Sequence, residues 1–164
     1  MLTTPQYGWT TFLLGRKESF RLSYLTDVAS DWLDRAIRGL ETMDVFSVHG
    51  FCEPGRMICT VSYWSCYVIF EGDGPAPVCE GVNHLHVPML DFCRQLHADI
   101  SQDLDAWVHW DDDSLEDQAA GDGGAGLDAL LRERRAALQS RLDRLKQLID
   151  EHEEDFGEDP EVFF

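Results

Sequence analysis

The chain has 164 residues, 44% hydrophobic and 11% aromatic, which suffices for the core of one ordinary domain and excludes a wholly disordered chain. Its 31 acidic residues against 13 basic ones give a net charge of −18, a balance that repels nucleic acid and anionic membrane and attracts basic proteins or cations. No apolar run reaches ~18 residues, which excludes a membrane-spanning helix.

Tyr7 to Leu14 is aromatic and aliphatic and reads as a strand. A polar turn, Gly15 to Glu18, separates it from Ser19 to Leu25, where Phe20, Leu22 and Tyr24 alternate onto one face. The two runs predict an opening hairpin. Thr26 is the expected cap of a helix with Asp27 and Asp31 in its first turns, where the helix dipole favours negative charge. Val28, Trp32, Leu33, Ala36, Ile37 and Leu40 make its apolar stripe, and the helix should end between Glu41 and Asp44.

Val45 to Phe51 predicts a strand, and Glu53-Pro54-Gly55-Arg56 a turn, since proline presets φ and glycine accepts positive φ. Met57 to Phe70 is either one long bent strand or two strands broken near Ser65. Residues 71–77 must be a loop, and Val82 to Val87 a short strand. Pro88 suits the first turn of a second helix, with Met89, Phe92, Cys93, Leu96, Ile100, Leu104, Trp107 and Val108 on one face.

Residues 111–126 show neither helical nor strand periodicity and read as an acidic, glycine-rich flexible linker. Leu127 to Ile149 is a strong helix former, with Leu131, Leu138, Leu142, Leu145 and Ile149 at coiled-coil-like spacing. The expected organisation is an α+β core over residues 1–110, the linker over 111–126, a helix over 127–150 and an acidic tail over 151–164. The core should hold an antiparallel sheet of about five to six strands with two helices on one face.

The charge is unevenly spread. Residues 111–126 hold six acids and no base, and residues 151–164 hold seven acids and no base, while the helix between them is net +2. Solubility alone does not require acids in blocks. Five cysteines, an odd number mostly inside apolar runs, read as buried thiols in a reducing compartment. Met1 to Trp9 lacks the pattern of a signal peptide, so the expected location is the cytoplasm.

The segment Phe20-Arg21-Leu22-Ser23-Tyr24-Leu25-Thr26-Asp27 resembles a signature of a family of uncharacterised bacterial proteins, in which an F-R-x-S-Y-L-T-D strand end leads into an amphipathic helix. The Glu53-Pro54-Gly55 turn, the aromatic strand from Trp64 to Phe70, and Val87-Pro88 before a helix fit the same pattern over about residues 7–110. The resemblance implies small acidic proteins similar to the immunity partners of secreted toxins. It supplies no catalytic residue to carry over.

Chemistry-bearing residues are sparse. His84 and His86 share one face of a strand, but a structural metal site needs three or four ligands, and no spacing recruits His49, Cys52, Cys93 or His97 to them. These residues read as half-buried histidines and core thiols, so no metal or cofactor is expected. The sequence holds no G-x-S-x-G, glycine-rich phosphate loop or H-E-x-x-H, and no catalytic residue is assigned.

The resulting expectation is a non-catalytic binding protein, an immunity protein occluding the basic surface of a cytoplasm-acting toxin. Its contacts would be Asp111, Asp112, Asp113, Glu116 and Asp117 in the linker, and Glu151, Glu153, Glu154, Asp155, Glu158, Asp159 and Glu161 in the tail, with Phe163 and Phe164 as an apolar anchor. Two alternatives stay open. One is a nucleic-acid mimic that inhibits a defence nuclease. The other is an oligomeric structural or adaptor protein pairing through the leucine stripe of residues 131–149.

Overall fold

A computed structural model describes residues 1–15, 19–72, 83–110 and 126–157. The opening hairpin pairs β1 (Trp9–Leu13) with β2 (Ser19–Ser23), Trp9 opposite Ser23 and Leu13 opposite Ser19. Tyr24 lies beyond the strand and is exposed, so the expected three-residue face reduces to Phe20 and Leu22.

Helix α1 (Val28–Thr42) buries Val28, Trp32, Leu33, Ala36 and Leu40 as its periodicity predicts. Its cap is Asp27, one residue after the expected Thr26, and the Ser30 backbone N–H donates to the Asp27 carboxylate at 3.2 Å. A carboxylate there satisfies an orphan helix donor and faces the positive end of the dipole. Met43, in the left-handed conformation at φ 55°, ends the helix.

Strands β3 (Phe46–Phe51), β4 (Arg56–Val61), β5 (Cys66–Glu71) and β6 (Asn83–Leu85) form a second, wholly antiparallel sheet in that order. Gly55 turns β3 into β4 at φ 82°, where an added Cβ would lie 2.5 Å from the Glu71 carbonyl oxygen. The apolar run from Met57 to Phe70 is two strands, because the Ser62 N–H donates to the Ser65 carbonyl at 2.8 Å and closes a turn between them. Period-two alternation turns Phe46, Val48, Met57, Cys59, Val61, Cys66 and Val68 inward.

The expected single sheet is therefore two sheets, of two and four strands. The hairpin is not an added edge. Leu22 lies over Gly50, where a Cβ would come within 2.9 Å of it, and Phe20 stacks on Phe70 at 6.1 Å. Both contacts are on the inner face, so the hairpin buries its apolar side against that face instead of extending the ladder.

Helix α2 (Met89–Gln102) and the short α3 (Leu104–Val108) replace the single helix expected to Val108. Asp103, at φ −132° and ψ 48°, breaks it, while Trp107 and Val108 remain buried. Trp32 sits at the centre of the core, edge-on to Phe12 at 5.4 Å and near Phe92 at 6.4 Å, and its Nε1 donates to the His49 carbonyl at 2.9 Å. Helix α4 (Leu127–Gly157) runs well past the expected residue 150. It packs on α1, α2 and α3 and buries Leu138, Leu142, Leu145, Leu148 and Ile149. The layers are the four-stranded sheet, then the hairpin with α1 and α2, then α4. No described helix is long and apolar enough to cross a membrane.

Candidate binding surface

Three of the basic residues of α4 are held by acids of α1. Arg134 donates to Asp27 through both terminal nitrogens at 2.7 and 3.0 Å, Arg141 to Asp34 at 2.8 and 3.1 Å, and Arg144 to Glu41 at 2.8 and 3.1 Å. Arg135 pairs with Asp105 of α3. Asp27, Asp34 and Glu41 recur every seven residues, nearly two helical turns, so they lie along one side of α1. The pairing order makes α1 and α4 parallel. Arg134 also donates to the Trp107 carbonyl at 3.3 Å. Burial alone would raise the Asp27 pKa, but the hydrogen bonds and charge of Arg134, with the Ser30 N–H, outweigh it and hold the carboxyl below its ordinary value.

Because the helices are parallel, their C-termini meet at one end of the molecule. His152 of α4 shares a 2.9 Å hydrogen bond with the Leu40 carbonyl, one of the last carbonyls of α1. Helix α2 starts at the same end, where Arg94 donates to Glu153 at 2.7 Å and to Asp91 at 2.5 Å. Two negative dipole ends and the positive end of α2 thus gather with Glu41, Asp44, Asp91, Asp150, Glu151, Glu153 and Glu154, and no basic residue occupies the last turn of α1 or α4. Asp44 and Glu154 stand exposed and in no ion pair among the described residues.

Of the carboxylates expected from the sequence, Glu151, Glu153 and Glu154 lie at this end. Glu151 accepts from Gln147 at 2.7 Å, and Glu153 is held by Arg94. The Asp155 side chain and Asp111, Asp112, Asp113, Glu116, Asp117, Glu158, Asp159 and Glu161 lie outside the described residues, as do Phe163 and Phe164. The two acidic blocks attach far apart. Trp110, which precedes the first, donates from Nε1 to the Thr26 carbonyl at the N-terminal end of α1, at 3.3 Å. The second block begins in the last turns of α4, at the far end of a helix whose 31 residues span roughly 46 Å. Sequence reasoning missed Asp44 and Asp91, since only the parallel pairing of α1 with α4 brings the first, and the Arg94 contact of α2 with Glu153 the second, to the end of α4.

The outer face of the four-stranded sheet carries a second group of side chains. Tyr67 of β5 stands opposite His84 of β6, and their rings stack at 4.9 Å and 16°. Ser65 Oγ and His84 Nε2 share a 2.9 Å hydrogen bond. A hydroxyl beside an imidazole resembles half of a nucleophilic site, but a triad also needs a group to orient the base. No carboxylate hydrogen-bonds His84 among the described residues.

The thiols are poor nucleophiles. Cys59, Cys66 and Cys93 are buried. A hydrogen bond that the Cys59 thiol donates to Cys66, with burial, raises the Cys59 pKa, and burial pushes Cys93 up to about 12. Beside the hairpin lies an open cleft of about 460 Å³ lined by Thr3, Thr4, Gln6, Tyr7, Trp9 and Arg21 among others. Two of its hydroxyls are already engaged, Thr10 donating to the Thr3 carbonyl and Thr4 to Asp103.

No family model, curated protein or solved structure matches the chain.

Proposed function

We propose that this is a non-catalytic acidic binding protein, an immunity-type inhibitor that occludes the basic surface of a bacterial toxin acting in the cytoplasm. The observation that carries the reading is the convergence of the α1 and α4 C-termini with Asp44, Glu151 and Glu154. Acids at helix C-termini oppose the dipole, each at a cost of about 0.3–1 kcal/mol, so their concentration there serves something other than helix stability. A toxin that acts on nucleic acid needs a cationic surface to hold phosphates, and a negative end raises the rate of encounter with it. Glu158, Asp159 and Glu161 extend the same negative segment in sequence. The block from Asp111 to Asp117 attaches about a helix length away and acts in this reading through long-range steering.

Mimicry of nucleic acid is less favoured, because a mimic needs carboxylates at regular intervals on a rigid element. Along α4 up to Asp150 bases outnumber acids, and Arg134, Arg141 and Arg144 bind α1. Pairing of two copies through residues 131–149 is also less favoured, since Leu138, Leu142, Leu145 and Ile149 are already buried within their own chain.

The reading predicts a toxin domain encoded beside this gene, and the test is protection of cells that express it. The intact protein should restore growth, and the triple variant Asp44→Lys, Glu151→Lys, Glu154→Lys should fail to do so while remaining folded. Equal protection by the variant would remove this end of the molecule from the interface.

A further inference from the structure

We propose that His84 and His86 form an open, surface site for a divalent transition-metal ion, independent of the partner surface described above. The two residues are i and i+2 on the edge strand β6 and its continuation, so both project from the outer face. Their ring centroids are 4.6 Å apart and the planes cross at 68°. Two imidazole nitrogens bound to one metal at ~2.0–2.1 Å place their ring centroids about 5 Å apart, so the observed spacing needs only a small adjustment.

His84 is also oriented in advance. Its Nε2 is engaged by Ser65 Oγ, and Ser65 is 8% exposed, fixed in the β4–β5 turn. Tyr67 stacks on the ring at 4.9 Å. In the tautomer in which Nε2–H donates to Ser65 Oγ, Nδ1 carries the lone pair for a metal, and binding the ion selects that tautomer. A hydrogen bond to the non-ligating nitrogen is the usual way a protein sets tautomer and ring angle at a metal. No third His, Cys, Asp or Glu joins them among the described residues, so water fills the remaining positions. Such a site is labile and selects ions that favour imidazole, Ni²⁺, Cu²⁺ and Zn²⁺, over Mg²⁺ and Ca²⁺, which the acidic segments attract.

Isothermal titration of the untagged full chain with Ni²⁺ in excess Mg²⁺ tests the site. One equivalent of Ni²⁺ should bind. His84→Ala and His86→Ala should each weaken binding at least tenfold, and Ser65→Ala should weaken it about tenfold while leaving both ligands in place. Substoichiometric Ni²⁺ should also broaden the proton resonances of Tyr67 in the unaltered protein before those of residues around His97 or His109. That readout decides the matter even where a variant folds poorly. Binding that Mg²⁺ abolishes, binding unchanged in both histidine variants, or broadening centred elsewhere would overturn the site.

Discussion

Asp27 shows how one side chain can do two jobs. It caps α1 through the Ser30 N–H and receives Arg134 from α4, joining the start of the first helix to the last. Arg134→Ala should cost about 2–3 kcal/mol at pH 7, the usual loss when a part-buried, charge-assisted hydrogen bond is broken from one side. The folded-state pKa of Asp27 is depressed, so the pair stabilises the fold above the unfolded carboxyl value of about 3.9, and that contribution is lost as pH falls through the lower folded value. In the variant, burial acts on Asp27 without its partner and raises the pKa. The gap between the two proteins in urea unfolding should therefore be widest at neutral pH and narrow below about pH 4. A gap independent of pH would show that Arg134 acts through packing alone. The thiols give a second check: Cys59, Cys66 and Cys93 should resist alkylation in the native protein and label once it unfolds, as read by peptide mass spectrometry. Rapid native labelling of Cys93 would contradict its burial.

Elements were legible in the sequence wherever a single face is buried. The stripe from Val28 to Leu40 and the leucines of α4 set their helices, and alternation set β3 to β5. Pairing was less legible, because Phe20 and Leu22 are equally apolar whether their hairpin extends a sheet or lies across it. The break at Asp103 was hidden because Leu104, Trp107 and Val108 continue the apolar pattern on the far side. The ladder from Asp27 to Glu41 was also invisible, since charges seven residues apart do not name their partners. The extension of α4 into the acidic tail runs against dipole preference, and helix propagation with the His152 contact to Leu40 offsets it.

Packing between α1 and β3 gives a sharp test at this scale. Glycine to alanine inside a helix normally gains about 1 kcal/mol. At Gly39, however, an added Cβ would lie 2.2 Å from the Phe46 ring, so Gly39→Ala should destabilise by about 1–3 kcal/mol in urea unfolding. A gain in stability would show that α1 does not approach β3 this closely. Leu145→Ala should cost about 2–5 kcal/mol, because Leu145 is fully buried where α4 meets the other helices. A loss under 1 kcal/mol would mean that α4 is only loosely docked.

At the scale of the whole molecule, the account rests on charge geometry. Arg134, Arg141 and Arg144 of α4 are taken up by α1, α2 joins the same end, and one of the two acidic blocks begins where α1 and α4 terminate. Clusters of this kind chiefly raise association rate, and salt screens them with a Debye length of about 8 Å at physiological ionic strength. The most direct measurement is the association rate, at low and physiological ionic strength, with the toxin domain that the proposed function predicts in a neighbouring gene. The account predicts a rate that falls steeply with salt for the intact protein, and a slower, flatter one for Asp44→Lys, Glu151→Lys, Glu154→Lys. The same rate and salt dependence in both proteins would contradict it.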